Sequence, residues 1–421
     1  MTKDITVNAQ KVSALEEKNR IYFHILALLV TMQTFIEVIN VMINQFGLGN
    51  SSVATAAIYL IVLAVALWKV RFVAITDILI LAGVYSLFAL NYLLFPETRA
   101  FAITDGMMVL YVFFIPLCAI VIRKIRSFEA FFEVLYPYAA AAVAVGGGIL
   151  LFFNYEEYLV YMEFSYAMLP SVCALYYALR TRQKKLSAGM FFIAGFVEMF
   201  TFGARAPLLF VLIFIVAYEL LRTDNPPSLK IVFVAVGIIA ALLFSYYEDS
   251  IIDWLNTIPI FSGSRVLDLL SSGELLESES RDMIKEFCYY RIQTMGMEIS
   301  GFWGDRKYCA GQAYPHNIFL EILMTYGWIF GILAILLLGV LCLRALLKKG
   351  TSRDVALFLL VTLWGRYLIS GSYIQEGKFW IGLFALIAVA FQCRSRKPAD
   401  NQRNVPAKAC ECVNKGENLS A

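Results

Sequence analysis

Charge is what this sequence has least of: 16% of its 421 residues are charged, against 60% hydrophobic, and its mean hydropathy is +0.71. A soluble domain carries roughly a quarter charged residues, so water is not the main solvent for this chain. The net charge of +3 is too small to draw it to nucleic acid. Histidine is scarcer still. Only His24 and His316 occur, too far apart in the expected topology to form one site. No P-loop, H-E-x-x-H or G-x-S-x-G motif is present, which removes the common routes to nucleotide hydrolysis, zinc peptidase and serine hydrolase chemistry. The 8 cysteines lack the spacing of a zinc site, and the C-x-C pair Cys410 and Cys412 reads as reduced thiols in a polar tail, with metal binding or lipidation as the rival readings. The stretch Gly47–Val53 has no acidic residue to hold a divalent cation. Neither a metal nor a cofactor is therefore expected. The first twenty residues are polar and charged, so no signal peptide is expected.

Long apolar runs are abundant. A bilayer-crossing helix needs roughly 17–25 apolar residues. Runs of that kind stand at 21–44, 53–69, 73–95, 106–122, 128–153, 159–179, 187–203, 206–221, 231–247, 318–343, 355–373 and 379–393. The expected fold class is an all-α polytopic membrane protein with about twelve transmembrane helices. Lys and Arg are retained in cytoplasmic connections. With the N-terminus inside and the spans alternating, most of the 35 basic residues fall inside, in groups such as Arg123–Lys124–Arg126 and Lys348–Lys349–Arg353. The expected organisation is a cytoplasmic segment at 1–20, nine spans over 21–247, a large extracytoplasmic loop at 248–315, three spans over 316–393, and a polar cytoplasmic tail at 394–421.

The loop carries Arg265, Arg281, Lys285, Arg291, Arg306 and Lys307, a basic cluster on the side where basic residues are disfavoured. Guanidinium groups bind phosphate with a bidentate fork and keep their charge. The rival reading is a solvated surface balanced by Glu274, Glu277, Glu279, Asp282 and Glu286, and for most of these residues taken singly it is the stronger one. Arg205, in Thr201-Phe202-Gly203-Ala204-Arg205-Ala206-Pro207, stands at the outer end of a helical hairpin. It is aimed at a ligand there or snorkels to head groups. His316 lies where the loop returns to the membrane and is either a proton acceptor near neutral pH or structural. Asn317 is a ready helix cap, and Glu321 stands one turn further on the same face. Arg366, inside a span, needs an anion: Glu321, or a phosphate. Glu37, Glu133, Glu163, Glu198 and Glu321 are intramembrane carboxyls of the kind a proton-coupled transporter uses. Cys288 and Cys309 are the loop's two cysteines, open to a disulfide or to burial of Cys288 in its helix.

Three segments resemble the O-antigen ligase and polymerase superfamily of bacterial membrane glycosyltransferases. Pro315-His316-Asn317-Ile318-Phe319-Leu320-Glu321 through Gly327 and Gly331 is similar to the family's H-N-x-(aromatic)-L element. Thr201–Ala206 resembles its (S/T)-x-(S/G)-R-(G/A) element, and Ser280-Arg281 with Gly301-Phe302-Trp303-Gly304 resembles its loop pattern. Family members often have Gly before the loop arginine, so Gly263-Ser264-Arg265 rivals Arg281 for that place. The resemblance covers residues 190–393 and implies a glycosyltransferase C type fold. It implies transfer of an undecaprenyl-pyrophosphate-linked glycan to an acceptor sugar hydroxyl, without metal, in the bacterial cytoplasmic membrane. His316, Arg205 and Arg281 would be catalytic, with Arg265, Arg291, Arg366, Asn317 and Glu321 binding substrate. Polymerase and ligase share this chemistry and differ in acceptor. A secondary transporter or flippase is the reading from another class.

Overall fold

Each of the apolar runs is occupied by a helix in the computed structural model, and no strand occurs among the described residues. The structure describes residues 2–48, 51–70, 74–104, 110–152, 161–181, 185–201, 204–222, 224–258, 279–308 and 314–392. Helices α1 (Thr2–Phe46), α2 (Ser51–Val70), α3 (Ile75–Leu94) and the short α4 (Arg99–Thr104) are followed by α5 (Ile115–Arg123). Then come α6 (Phe131–Phe152), α7 (Tyr161–Arg180), α8 (Lys185–Thr201), α9 (Arg205–Leu221) and α10 (Pro227–Asn256). The C-terminal part holds α11 (Glu279–Met295), α12 (Ile318–Leu346), α13 (Thr351–Leu359) and α14 (Gly377–Phe391).

By length and composition four helical segments can cross a membrane: Asn19–Phe46, Ile75–Leu94, Phe131–Ile149 and Ile318–Leu346. This fits an α-helical membrane protein. Among the described residues this falls short of about twelve spans, and local breaks divide two of the runs. A π-helical turn, Leu110–Phe114, opens the run that α5 continues. The run at 355–373 is divided into α13, a π turn at Leu360–Trp364 and a 3₁₀ turn at Gly365–Leu368. The expected large loop is corrected in the same way. Its start, to Asn256, extends α10, and parts of its described remainder hydrogen-bond to α12.

The core lies among α1, α6 and α7, where Phe23 meets Phe128 and Phe131 with ring centroids 6.1 and 6.0 Å apart. Gly195 of α8 packs so closely on Val143 of α6 and Val172 of α7 that an added Cβ would come within 2.9 Å of each. Small residues of this kind let membrane helices approach. The outward faces are apolar, with Leu79 and Leu90 of α3 and Leu333, Leu336, Leu337 and Val340 of α12 exposed. Helix alternation gathers Arg123, Lys124 and Arg180 toward one end. Arg123 and Lys124 both reach Asp77, at 2.7 and 2.9 Å, and Arg180 pairs with Glu219 at 2.6 Å.

At the other end α12 is broken at Gly327, whose φ of +69° suits glycine alone. The break frees backbone groups that must be paired again. Loop residues do this: Ser300 N–H and Gly301 N–H donate to Thr325 O at 3.1 and 3.2 Å, and Trp328 N–H donates to Gly296 O. The Ser300 hydroxyl donates to Met324 O. A Cβ at Gly327 would lie 2.7 Å from Glu298 O and 2.8 Å from Met297 O, so the loop backbone occupies the space a side chain would need. The loop is anchored further where Phe302 N–H donates to Asn91 Oδ1 of α3 at 2.7 Å and Trp303 packs on Tyr111, centroids 5.3 Å apart.

Candidate functional site

The half-helix from Ile318 to the break is capped by Asn317, whose Oδ1 accepts from Phe319 N–H and Leu320 N–H at 2.9 and 3.2 Å. Its Nδ2 donates to Leu368 O at 3.3 Å. Both ends of the amide are thus engaged by the fold. The residue before it, His316, has a φ of +56°, a left-handed conformation that costs a non-glycine residue energy and clusters at functional positions. Its ring stacks at a tilt on Tyr314, centroids 4.3 Å apart. The Tyr314 ring also lies under the Arg306 guanidinium, at 5.6 Å. Burial pushes the Tyr314 phenol up, and Arg366 opposes that shift while Glu376 and Glu163 add to it. Tyr314 therefore touches the Arg306 guanidinium and feels the charge of Arg366.

In the first of two clusters Arg306, from the 3₁₀ turn Gly304–Tyr308, pairs with Asp305 and, at 3.2 Å, with Glu321. It also donates to Ser372 Oγ at 2.6 Å. Ser372 Oγ donates in turn to Glu321, whose second oxygen accepts from Tyr373 N–H at 3.2 Å. In the second, Arg366 forks onto Glu163 of α7, with one arm at 2.7 Å, and approaches Glu376 at 3.4 Å. Tyr166 backs the guanidinium at 4.8 Å, and Tyr367 OH donates to Glu376 at 3.2 Å. One strap, residues 369–376, serves both clusters: Ser372 and Tyr373 hold Glu321, while Glu376 faces Arg366. The strap turns at Gly371, φ +82°, where a Cβ would lie 2.6 Å from Glu376 Oε1 and 3.1 Å from Arg366 Nε. Burial raises the Glu376 carboxyl, with Arg366 opposing.

Two expectations are corrected here. The anion for Arg366 is Glu163 with Glu376, not Glu321, because α7 brings Glu163 alongside and Arg306 takes Glu321. Arg306 is no solvated surface residue: its side chain is 3% exposed. Asp305, Tyr314, Ser372, Tyr373 and Glu376 entered no sequence-based site. The adjacent Asp305-Arg306 pair was the available signal, but charge neighbours of that kind also decorate surfaces.

Arg205 opens α9, five residues before Phe210, whose ring would lie 2.8 Å from a Cβ on Gly365. That puts it about 7.5 Å along the helix from the point where α9 meets the Arg366 turn. Helix α11 lays Ile284, Cys288 and Ile292 on Leu320 and Met324 of the half-helix. Both helices run toward the break, where the indole of Trp328 donates to Ile292 O at 3.1 Å. They are therefore side by side with their N-termini together. Arg281, in the first turn of α11, has its backbone at the end nearer His316, whereas Arg291 lies about 15 Å further along, toward the break. Cys288 is buried in this apolar contact. Arg265 and Cys309 lie outside the described residues. Among the described residues no group of three or more His, Cys, Asp or Glu side chains is arranged to hold a metal.

The sequence matches no protein-family model and no curated protein.

Proposed function

We propose that this protein is a membrane glycosyltransferase, a polysaccharide polymerase of the O-antigen ligase and polymerase type. It would transfer an undecaprenyl-pyrophosphate-linked oligosaccharide to an acceptor sugar hydroxyl, without metal, at the outer face of a bacterial cytoplasmic membrane. The reading takes the chain as an α-helical membrane protein with a glycosyltransferase C type fold and both termini cytoplasmic. One observation carries it: His316, in a left-handed conformation, stacks on a tyrosine that touches the Arg306 guanidinium and feels the charge of Arg366, at the bundle end opposite Arg123, Lys124 and Arg180.

In the reaction the neutral imidazole of His316 takes the proton of the acceptor hydroxyl. The acceptor oxygen bonds to the anomeric carbon of the donor. The bond from that carbon to the diphosphate breaks, and its electron pair leaves with the lipid pyrophosphate. Fixed positive charge stabilises the leaving group. Arg306 and Arg366 are each matched by carboxylates and hold the strap in place. The phosphate contacts are assigned to Arg205 and Arg281 because they stand in the two arginine-bearing segments that resemble the family's.

The test is deletion of the gene, complemented by the parent or by His316→Ala, with lipid-linked and surface glycans compared by length. Loss of long chains with single repeat units still outside the cell supports a polymerase. Long chains retained on the lipid carrier indicate a ligase. Repeat units held inside indicate a transporter or flippase and would sink the glycosyl-transfer reading.

A further inference from the structure

Glu198 is 4% exposed, and its Oε2 is buried without a hydrogen-bond partner. It lies on α8 one turn beyond Gly195, at the junction with α6 and α7. The wall opposite is backbone. A Cβ at Gly146 would lie 2.6 Å from Glu198 Oε2, and one at Gly147 would lie 3.0 Å from Oε1. Phe164 and Met168 of α7 also line this point. On the packed elements, α7 carries Glu163, which is forked by Arg366, and α9 begins with Arg205, seven residues along the chain. Neither is hydrogen-bonded to Glu198 Oε2. An ionised carboxylate buried against glycine and apolar side chains with no donor on its buried oxygen is too costly to persist.

We propose that Glu198 is a proton-binding site: its neutral carboxyl sits in the Gly146–Gly147 seat, and the bound proton holds α8 against α6. This accounts for two features together, a buried carboxyl oxygen without a hydrogen-bond partner and glycines where a side chain would displace the carboxyl. Ionisation would require α8 to move off α6 or a cation to enter. Because α8 leads directly into the hairpin that carries Arg205, such a movement would be felt at the candidate site.

The experiment uses the full chain in detergent micelles at neutral pH. Dicyclohexylcarbodiimide, an apolar reagent, adds to a protonated carboxyl: the acid proton passes to a carbodiimide nitrogen as the carboxyl oxygen bonds to the central carbon. Mass spectrometry is expected to find the adduct at Glu198, absent in Glu198→Gln. It should also be absent at Glu163, which is engaged by arginine. Melting temperature is the second readout. Gln is the neutral isostere of the protonated acid, so Glu198→Gln should leave it unchanged. A clear rise would mean that an unpaired charge had been removed, and a clear fall would mean that a carboxylate partner had been lost. Either shift overturns the proposal, as does an adduct that forms at Glu198 only after denaturation.

Discussion

Arg306 faces two carboxylates, Asp305 and Glu321, in a space none of the three shares with solvent. With both acids ionised the trio carries net negative charge in a low dielectric. Burial therefore pushes Asp305 up to about 6, against the pull of Arg306. An acid raised above its unfolded value of roughly 3.9 contributes stability that is complete below that value and is lost as pH rises through about 6. The melting temperature in detergent should thus contain a component that falls from pH 4 to pH 7, and Asp305→Asn should lessen it. Arg306→Met leaves two uncompensated carboxyls and should cost about 3–5 kcal/mol, measurable by thermal unfolding. At the reacting end, His316→Ala should lower chain extension by about 10²–10⁴-fold with unchanged protein in the membrane. Arg205→Lys should also be damaging, since a point charge does not reproduce the bidentate fork. Wild-type glycan length in either variant would remove that residue from the chemistry.

A broken helix sets the geometry of the site. Gly327 supplies the break, and loop residues 296–301 fill it with hydrogen bonds. Gly327→Ala forces a Cβ against two carbonyl oxygens and a left-handed backbone on alanine. The strain costs about 1–2 kcal/mol, and overpacking adds about 1–3 kcal/mol. Limited proteolysis should then cut within 296–308 while α12 stays inserted; a protected loop would contradict the account. Asn317 separates two roles by substitution. As a cap, it should tolerate Asn317→Ser or Asn317→Asp and lose about 1 kcal/mol as Asn317→Ala. If glycan length collapses in the Ser and Asp variants while stability holds, the amide touches substrate instead. The capping role was legible in the sequence, because an amide before an apolar run has a local hydrogen bond to make. The break was not, since a glycine inside an apolar run is ordinary until something packs against it.

Among the described residues, Arg123, Lys124 and Arg180 lie toward one end and the broken helix, strap and His316 toward the other. The proposed topology makes the first end cytoplasmic. Cysteine placed at Glu274 should then be labelled by an impermeant thiol reagent added outside intact cells, and labelling only after the membrane is opened would reverse the orientation. The apolar outer faces of α3 and α12 are expected to lie against lipid, where they need no protein partner.

Composition and run length by themselves determined that this chain is helical and apolar, because a helix pairs its own backbone and its solvent preference is summed over local residues. They also placed Asn317 and marked Arg366 as a charge needing an anion. Which anion was decided only by tertiary packing: Glu163 lies 203 positions before Arg366, and Arg306 finds Ser372 66 positions on. Ion pairing depends on distance in space, and no periodicity in the chain encodes it. The same holds for Glu198, where the absence of a partner is visible only once α6 and α7 have closed around it.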